Sequence, residues 1–594
     1  MKKKKQRYKI DTERIRGFAI MPLLLFLFLR TWFDGFTSPS FNHFWSIAFY
    51  AGTLMVVILS FRKLDCSLTE GAFVGYLVFL VILSFFSPLK YRAVAPLTEL
   101  FGLFCLMFLV RKLSTKEQLP FFTWALLLGL AAVVFYGIHQ YFWGLESTRE
   151  YVLQRGDQIS ASYLARMESN RIFSRFVYPN TFAGYLLMLY PVAFFTAISG
   201  NRKQAFVGGA LLVLLLLLFA ATESMGGWFC FIITSVFMIF YFILPRRWYP
   251  AICLALCIAG IVGIWISYHR GFLPKMSSFQ DRLDYWHAGL RMFLDRPWFG
   301  FGPGNFGVFY PGYKIPGAME AKYAHNILIQ AVCETGISGL ILLVAVMVIF
   351  SLRNGRTFIT PSQTVLPGYF FGLAAFFLHS LVDFDYMDLS LSSIAFAYAG
   401  IIELHGGKNI GLRLTKIAGG FIIILTVAAL FLETKVWKTE RLVDSFYSGT
   451  VKTENPLLVL DKAAEVFPEP ELFFIKGEIL RQAANSTGRD DLISAAAEAY
   501  SRAIALNPYS TKYHRALAFL YYRTKQYKEA EREFLKLVAL YPSKAQYNWE
   551  LCYFYKKIGN TDKADAWRKI AELLPFSSED EKRTVIGYAN GTNF

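Results

Sequence analysis

The chain has 594 residues, of which 55% are hydrophobic, 17% aromatic and only 18% charged. A soluble globule of this size needs more charge to cover its surface, and a disordered chain needs fewer apolar residues, so both are excluded and an integral membrane protein remains. The net charge of +18 fits either nucleic acid or a membrane flanked by basic loops. Seven cysteines, at 66, 105, 230, 253, 257, 333 and 552, form no metal or disulfide pattern.

Apolar runs of the length that crosses a bilayer, about 20 residues, recur as far as residue 433. Thirteen spans are predicted: 17–33, 42–61, 71–87, 95–110, 119–143, 177–199, 205–221, 227–244, 249–267, 325–351, 367–383, 387–403 and 417–433. Lys2 to Lys5 precede the first, as in a signal peptide. That run ends in Leu29-Arg30-Thr31-Trp32 with no small-residue cleavage site, so a retained span is expected. With the N-terminus in the cytoplasm, the inside segments hold 22 Lys and Arg, while the four short outside loops hold only Lys90 and Arg92. Two long loops, 144–176 and 268–324, then lie outside. An odd number of spans places everything after 433 outside as well.

Beyond Lys435 the composition becomes that of a soluble domain. Tyr500 and Phe534 are 34 residues apart, as are Pro508 and Pro542, and Trp567, Ile570, Leu573 and Pro575 repeat the pattern 33 residues later. Leu457 to Pro468 reads as an earlier, degenerate copy. The period resembles the tetratricopeptide repeat, which implies an α-solenoid of about three helix pairs over 434–594. Such an array offers a concave surface for docking a protein or peptide, or serves only as a spacer.

Ionisable residues at span ends are functional suspects. Under this topology Glu99, Arg171, Arg175, Asn180, Glu223, Ser224, Arg282, His287, Arg291, His325, Asn326, His379 and Asp383 all converge on the outer face. Leu283, Trp286, Leu290 and Phe293 recur at helical spacing, so 279–295 is predicted to be an amphipathic helix along the interface. Arg282 borders its apolar face, where snorkelling alone would also explain it. Gly300, Gly302 and Gly304 have the composition of a phosphate cradle, but no strand precedes them and Pro303 interrupts them, so an irregular turn is expected. His325 opens a long apolar helix and has the chemistry of a general base. Glu334 lies nine residues on, too deep to partner it directly. Asp383-Phe384-Asp385 has the Asp-x-Asp spacing of some metal-dependent glycosyltransferases, a weak signal in three residues.

Four segments together resemble the O-antigen ligase/polymerase superfamily of bacterial membrane glycosyltransferases. They are Arg171-Ile172-Phe173 with Tyr178-Pro179-Asn180-Thr181-Phe182-Ala183-Gly184; Arg282 and Trp286 with Asp295-Arg296-Pro297 and Gly300 through Phe306; Ala324-His325-Asn326 with Gln330 and Glu334 through Gly339; and Leu378-His379-Ser380-Leu381-Val382-Asp383-Phe384. The resemblance implies a GT-C-like, multi-pass enzyme of the bacterial cytoplasmic membrane. Its donor would be a polyprenyl-diphosphate-linked glycan, used at the outer face. Its acceptor would be a hydroxyl of a glycan, a lipid-linked sugar or a protein.

The resemblance marks Arg282 and His325 as functional positions. In that reading Arg282 binds the donor diphosphate, with Arg171, Arg175 or Arg291 as a second cation, and His325 takes the acceptor proton during an inverting displacement. Asn180, Asn326, His379 and Asp383 support them. No metal or other cofactor is required, and nucleic acid is not expected as a partner, since basic loops and this cation group account for the charge. One departure stands out: many relatives carry Ser-Arg-Gly where this chain has Ser224-Met225-Gly226, with Glu223 beside it. Two other classes compete, a transporter or flippase with a docking domain and a non-enzymatic scaffold that presents the repeats.

Overall fold

A computed structural model describes residues 20–33, 37–60, 65–154, 169–245, 248–249, 251–252, 277–359, 364–406, 412–413, 416–447 and 456–589. The first part of the chain runs α1 (Met21–Arg30), α2 (Pro39–Ser60), α3 (Leu68–Phe86), α4 (Val94–Leu113), α5 (Leu119–His139), α6 (Leu145–Gln154), α7 (Pro179–Ser199), α8 (Arg202–Ala221) and α9 (Met225–Ile243). It continues with α10 (Ser277–Asp295), α11 (Phe306–Tyr313), α12 (Ile327–Ile359), α13 (Leu366–His379), α14 (Leu389–His405) and α15 (Lys416–Tyr447). A two-residue ladder, Asp65–Cys66 against Leu412–Arg413, is the sheet among the described residues.

Among the described residues nine helices are long and apolar enough to cross a membrane, and α1, α13 and α14 are shorter apolar helices. These twelve coincide with twelve of the thirteen predicted spans. The other, 249–267, lies almost wholly outside the described residues. The chain is therefore a helical, polytopic membrane protein.

The bundle is organised around α7, which is buried along nearly its whole length and packs against α8 and α13. Close approach explains the small residues on its partners. A Cβ at Gly208 of α8 would lie 2.8 Å from the Ala197 nitrogen, and one at Gly372 of α13 would lie 2.5 Å from the Met188 oxygen. Buried charges are paired at one end of the bundle. Arg111 holds Glu70 through two bonds of 2.6 and 2.7 Å. Glu403 accepts from Arg353, Asn354 and Thr69 at 2.9, 2.7 and 2.8 Å.

Two helices outrun the bilayer. α12 has 33 residues and is broken at Gly336, whose φ of 64° only glycine adopts freely. Residues 337–358 alone span about 33 Å at 1.5 Å per residue, so 327–335 rise above the hydrocarbon. α15 has 32 residues and runs unbroken through the expected domain boundary at 433. His43 of α2 clasps it, with Nδ1 2.8 Å from Glu433 and Nε2 2.8 Å from Glu440.

Residues 456–589 form α16 (Pro456–Val466), α17 (Pro470–Thr487), α18 (Asp490–Leu506), α19 (Thr511–Arg523), α20 (Tyr527–Leu540), α21 (Ala545–Lys557), α22 (Thr561–Glu572) and α23 (Glu579–Ala589). Consecutive helices from α16 to α22 pack on one another, and Tyr500 and Phe534, the residues one sequence period apart, are both fully buried. This array rests on the loop that follows α10. Glu320 accepts from the Tyr541 hydroxyl and pairs with Lys544 at 3.3 Å. Phe309 packs on Tyr509 with ring centres 4.6 Å apart, and Asn507 donates to the Tyr91 hydroxyl at 3.2 Å.

Candidate functional site

The loop after α13 gathers the site. α13 ends at His379, whose carbonyl accepts from the Val382 and Asp383 nitrogens, so the chain turns tightly before Asp383. That turn puts Asp383 where three other segments meet. Its carboxylate accepts from Asn180 Nδ2 at 2.9 Å and from Arg282 Nη2 at 3.0 Å on Oδ2, and faces His325 Nδ1 at 3.2 Å on Oδ1. Asp383 is 2% exposed, so a single buried carboxylate joins residues from α7, α10 and the start of α12. Removing that charge would leave Arg282 without its counter-ion.

Each neighbour is fixed by its own segment. Arg282 Nε donates to the Val382 carbonyl and Nη1 donates to the Ser278 carbonyl at 2.8 Å, so the guanidinium is locked rather than snorkelling. Trp286, one turn on, donates to the Ala324 carbonyl at 3.1 Å and ties α10 to the His325 segment. His325 sits at φ 51°, a left-handed conformation costly for a side-chain-bearing residue. Its ring meets Tyr285 at 5.4 Å and the edge of Phe384 at 4.6 Å. Asn326 caps α12 through the Leu328 and Ile329 nitrogens while donating to the Leu381 carbonyl at 2.9 Å, which pins α12 to the Asp383 loop.

Arg171 completes the group. Its Nη2 donates to Asn180 Oδ1 at 2.7 Å and its Nε to the Thr222 carbonyl at 2.8 Å. Burial lowers its pKa, a shift opposed by the carboxylates of Glu223 and Asp383 and reinforced by the like charge of Arg282. Arg171 and Arg282 are thus two cations held around one buried anion. Glu223 is exposed at the rim, at φ 51°, and Met225 is 61% exposed.

Two expected cations are elsewhere. Arg175 stacks over Trp32 and Tyr136, at 4.7 and 5.1 Å, and donates to the Trp32 carbonyl, so aromatic packing claims it. Arg291 is exposed on α10, nine residues or about 14 Å along the helix from Arg282. His379, expected in a supporting role, has its own partner. It does not touch Asp383 by its side chain but pairs with Asp385, 2.5 Å away, and both are buried. The two carboxylates of the Asp-x-Asp step therefore face different histidines. Among the described residues no three metal-ligating side chains converge. Gly184 allows the inner pair, because a Cβ there would lie 2.3 Å from Asp385 Oδ2.

The glycine turn is not a phosphate cradle. Gly300, Gly302 and Gly304 all have positive φ, but the Gly302 nitrogen donates to the Glu334 carbonyl at 2.8 Å. The Glu334 side chain takes the Phe306 nitrogen at 3.2 Å and Gln330 at 2.8 Å. The chain's own glutamate occupies the amides a phosphate would need.

A cavity of about 550 Å³ runs between α3, α4, α12, α13 and α14. Phe73, Leu100, Leu343 and Phe396 line its depth, and Gln330, Glu334 and Tyr386 lie at the end nearest the site.

Fold and site together define a polytopic membrane protein with a polar centre where α7, α10, α12 and α13 meet. A family model described as O-Antigen ligase matches residues 210–344, a stretch that contains Arg282 and His325. The match supports a membrane glycosyltransferase of the O-antigen ligase type. No curated protein matches the chain.

Proposed function

We propose that the protein transfers a glycan from a polyprenyl-diphosphate donor to an acceptor hydroxyl at the outer face of the cytoplasmic membrane. The observation that carries this reading is the sharing of Asp383 by His325 and Arg282, two residues within the segment similar to O-antigen ligases. An ionised Asp383 accepts a hydrogen bond from the Nδ1–H of His325, which leaves Nε2 as the basic nitrogen. Nε2 accepts the proton of the acceptor hydroxyl as its oxygen attacks the anomeric carbon. The bond from that carbon to the diphosphate breaks, and inversion follows from one direct displacement. Arg282 and Arg171 bind the departing diphosphate, whose charge grows as the bond breaks. The apolar cavity suits the polyprenyl chain, since it is deep, and its polar end lies toward the site. The helical array suits a tetratricopeptide-type docking domain for an acceptor or an assembly partner.

The test is reconstitution with polyprenyl-diphosphate glycan and candidate acceptors. Arg282→Ala and His325→Ala should each reduce transfer by about 10²-fold or more. Full transfer by both variants would sink the mechanism.

A further inference from the structure

Arg291 and Arg296 play no part in the Asp383 centre, and the structure gives them a different setting. The outward face of α10 exposes Leu290 (50%) and Leu294 (67%) beside Arg291, and the turn that follows exposes Trp298 (67%) and Phe299 (59%) beside Arg296. So large an apolar surface on a loop marks a contact site. Its height is fixed by hydrogen bonds: the Ile337 nitrogen donates to the Pro297 carbonyl at 2.8 Å and the Ser338 nitrogen to the Trp298 carbonyl at 3.4 Å. Residue 337 begins the crossing part of α12. Phe86, the outer end of α3, borders the same turn across an open cavity of about 330 Å³ that Arg296 and Trp298 also line. Phe86 is itself 79% exposed, so the apolar surface is continuous with a lipid-facing span. Asp295, which lies between the two arginines in sequence, is engaged by the Tyr313 hydroxyl. Arg296 lies over the Phe301 ring at 4.8 Å, and neither arginine forms an ion pair among the described residues.

We propose that this surface is a phospholipid site. The phosphate of an anionic phospholipid rests on Arg291 and Arg296, and its acyl chains cover Leu290, Leu294, Trp298 and Phe299. Aromatic and aliphatic residues beside two arginines that form no ion pair among the described residues are the chemistry of an anionic membrane interface. The site is separate from Arg282 and does not depend on the transfer reaction.

The experiment uses the full chain in nanodiscs with a photoactivatable phosphatidylglycerol, and maps the crosslinks by peptide mass spectrometry. Crosslinks are expected within 287–299 and should exceed those from the matching phosphatidylcholine probe. Arg291→Gln with Arg296→Gln should weaken them by about fivefold per arginine, while crosslinks to the other spans persist and report an intact fold. Arg291→Lys with Arg296→Lys should restore them. Absence of crosslinks in 287–299, equal labelling by both probes, or unchanged labelling in the glutamine variant overturns the proposal. Displacement of the probe by polyprenyl phosphate but not by unlabelled phosphatidylglycerol overturns it as well.

Discussion

At the residue scale the decisive atom group is the Asp383 carboxylate. Asn180, Arg282 and His325 lie 203, 101 and 58 residues away in sequence, yet all contact it. Polar character and position relative to the spans put each of these residues among the suspects, and the family resemblance singled out Arg282 and His325. Their common partner was not legible, because a hub is a property of the turn after α13 and not of any local pattern. The same limit explains Arg175 and Arg291. Both are cations at the right end of the bundle, and only packing shows that one is spent on aromatic rings and the other points outward. Asp383→Asn should retain the fold's shape while reducing transfer by about 10²-fold or more, since the amide neither counters Arg282 nor orients His325 as an anion does. Transfer kinetics on the reconstituted variant check this. Gly184→Ala should destabilise the protein by about 1–3 kcal/mol, because the added methyl meets the His379–Asp385 pair. A lowered midpoint in detergent thermal unfolding is the readout, with Gly209→Ala, where a Cβ meets open space, as the control.

At the element scale, α10 and α15 show what periodicity gives and what it leaves out. The spacing of Leu283, Trp286, Leu290 and Phe293 predicts a helix over 279–295, and the helix spans Ser277–Asp295. The Gly336 break in α12 falls inside the single span predicted over 325–351, where a Cβ at 336 would lie 2.3 Å from the Trp298 carbonyl carbon, a contact that span length does not reveal. Hydropathy likewise ended the last span at 433, whereas α15 carries charged residues through further turns because His43 receives two of its glutamates. Between the array and the loop, Glu320 is the contact that titrates. Burial opposes its charge, but the Tyr541 hydroxyl and the ammonium groups of Lys314 and Lys544 outweigh that and hold the carboxyl below its ordinary value of 4.5. A depressed carboxyl stabilises docking at pH above that ordinary value and loses its contribution as pH falls through the lower one. Hydrogen-exchange protection factors over 304–324, which remove the intrinsic pH dependence of amide exchange, should therefore fall in acid. Glu320→Gln should lower the protection already at neutral pH and flatten the acid response.

At the scale of the whole molecule, the contacts of the array with Tyr91, Phe309 and Glu320 place it on the same side of the bundle as the Asp383 centre. Sequence counting, from basic residues in loops and an odd number of spans, expects both on the outer side. An extracytoplasmic reporter fused after Phe594 should accordingly be active, and so should one inserted in the 311–324 loop. Activity of one without the other would contradict the docked arrangement, and a cytoplasmic signal from both would reverse the assigned orientation.

α15 has a mechanical consequence. It is a continuous rod of about 48 Å, gripped by His43 near the bilayer and leading to an array that leans on the Glu320 loop. Slack in a flexible tether would let a captured partner sample a sphere of positions, and its local concentration would fall with tether length. Two points of attachment replace that sphere with a gauge. Whatever rests on the array stands at a set offset from the buried carboxylate, so lengthening α15 by one turn between Glu433 and Glu440 would change reach in a step and release one end of the clasp.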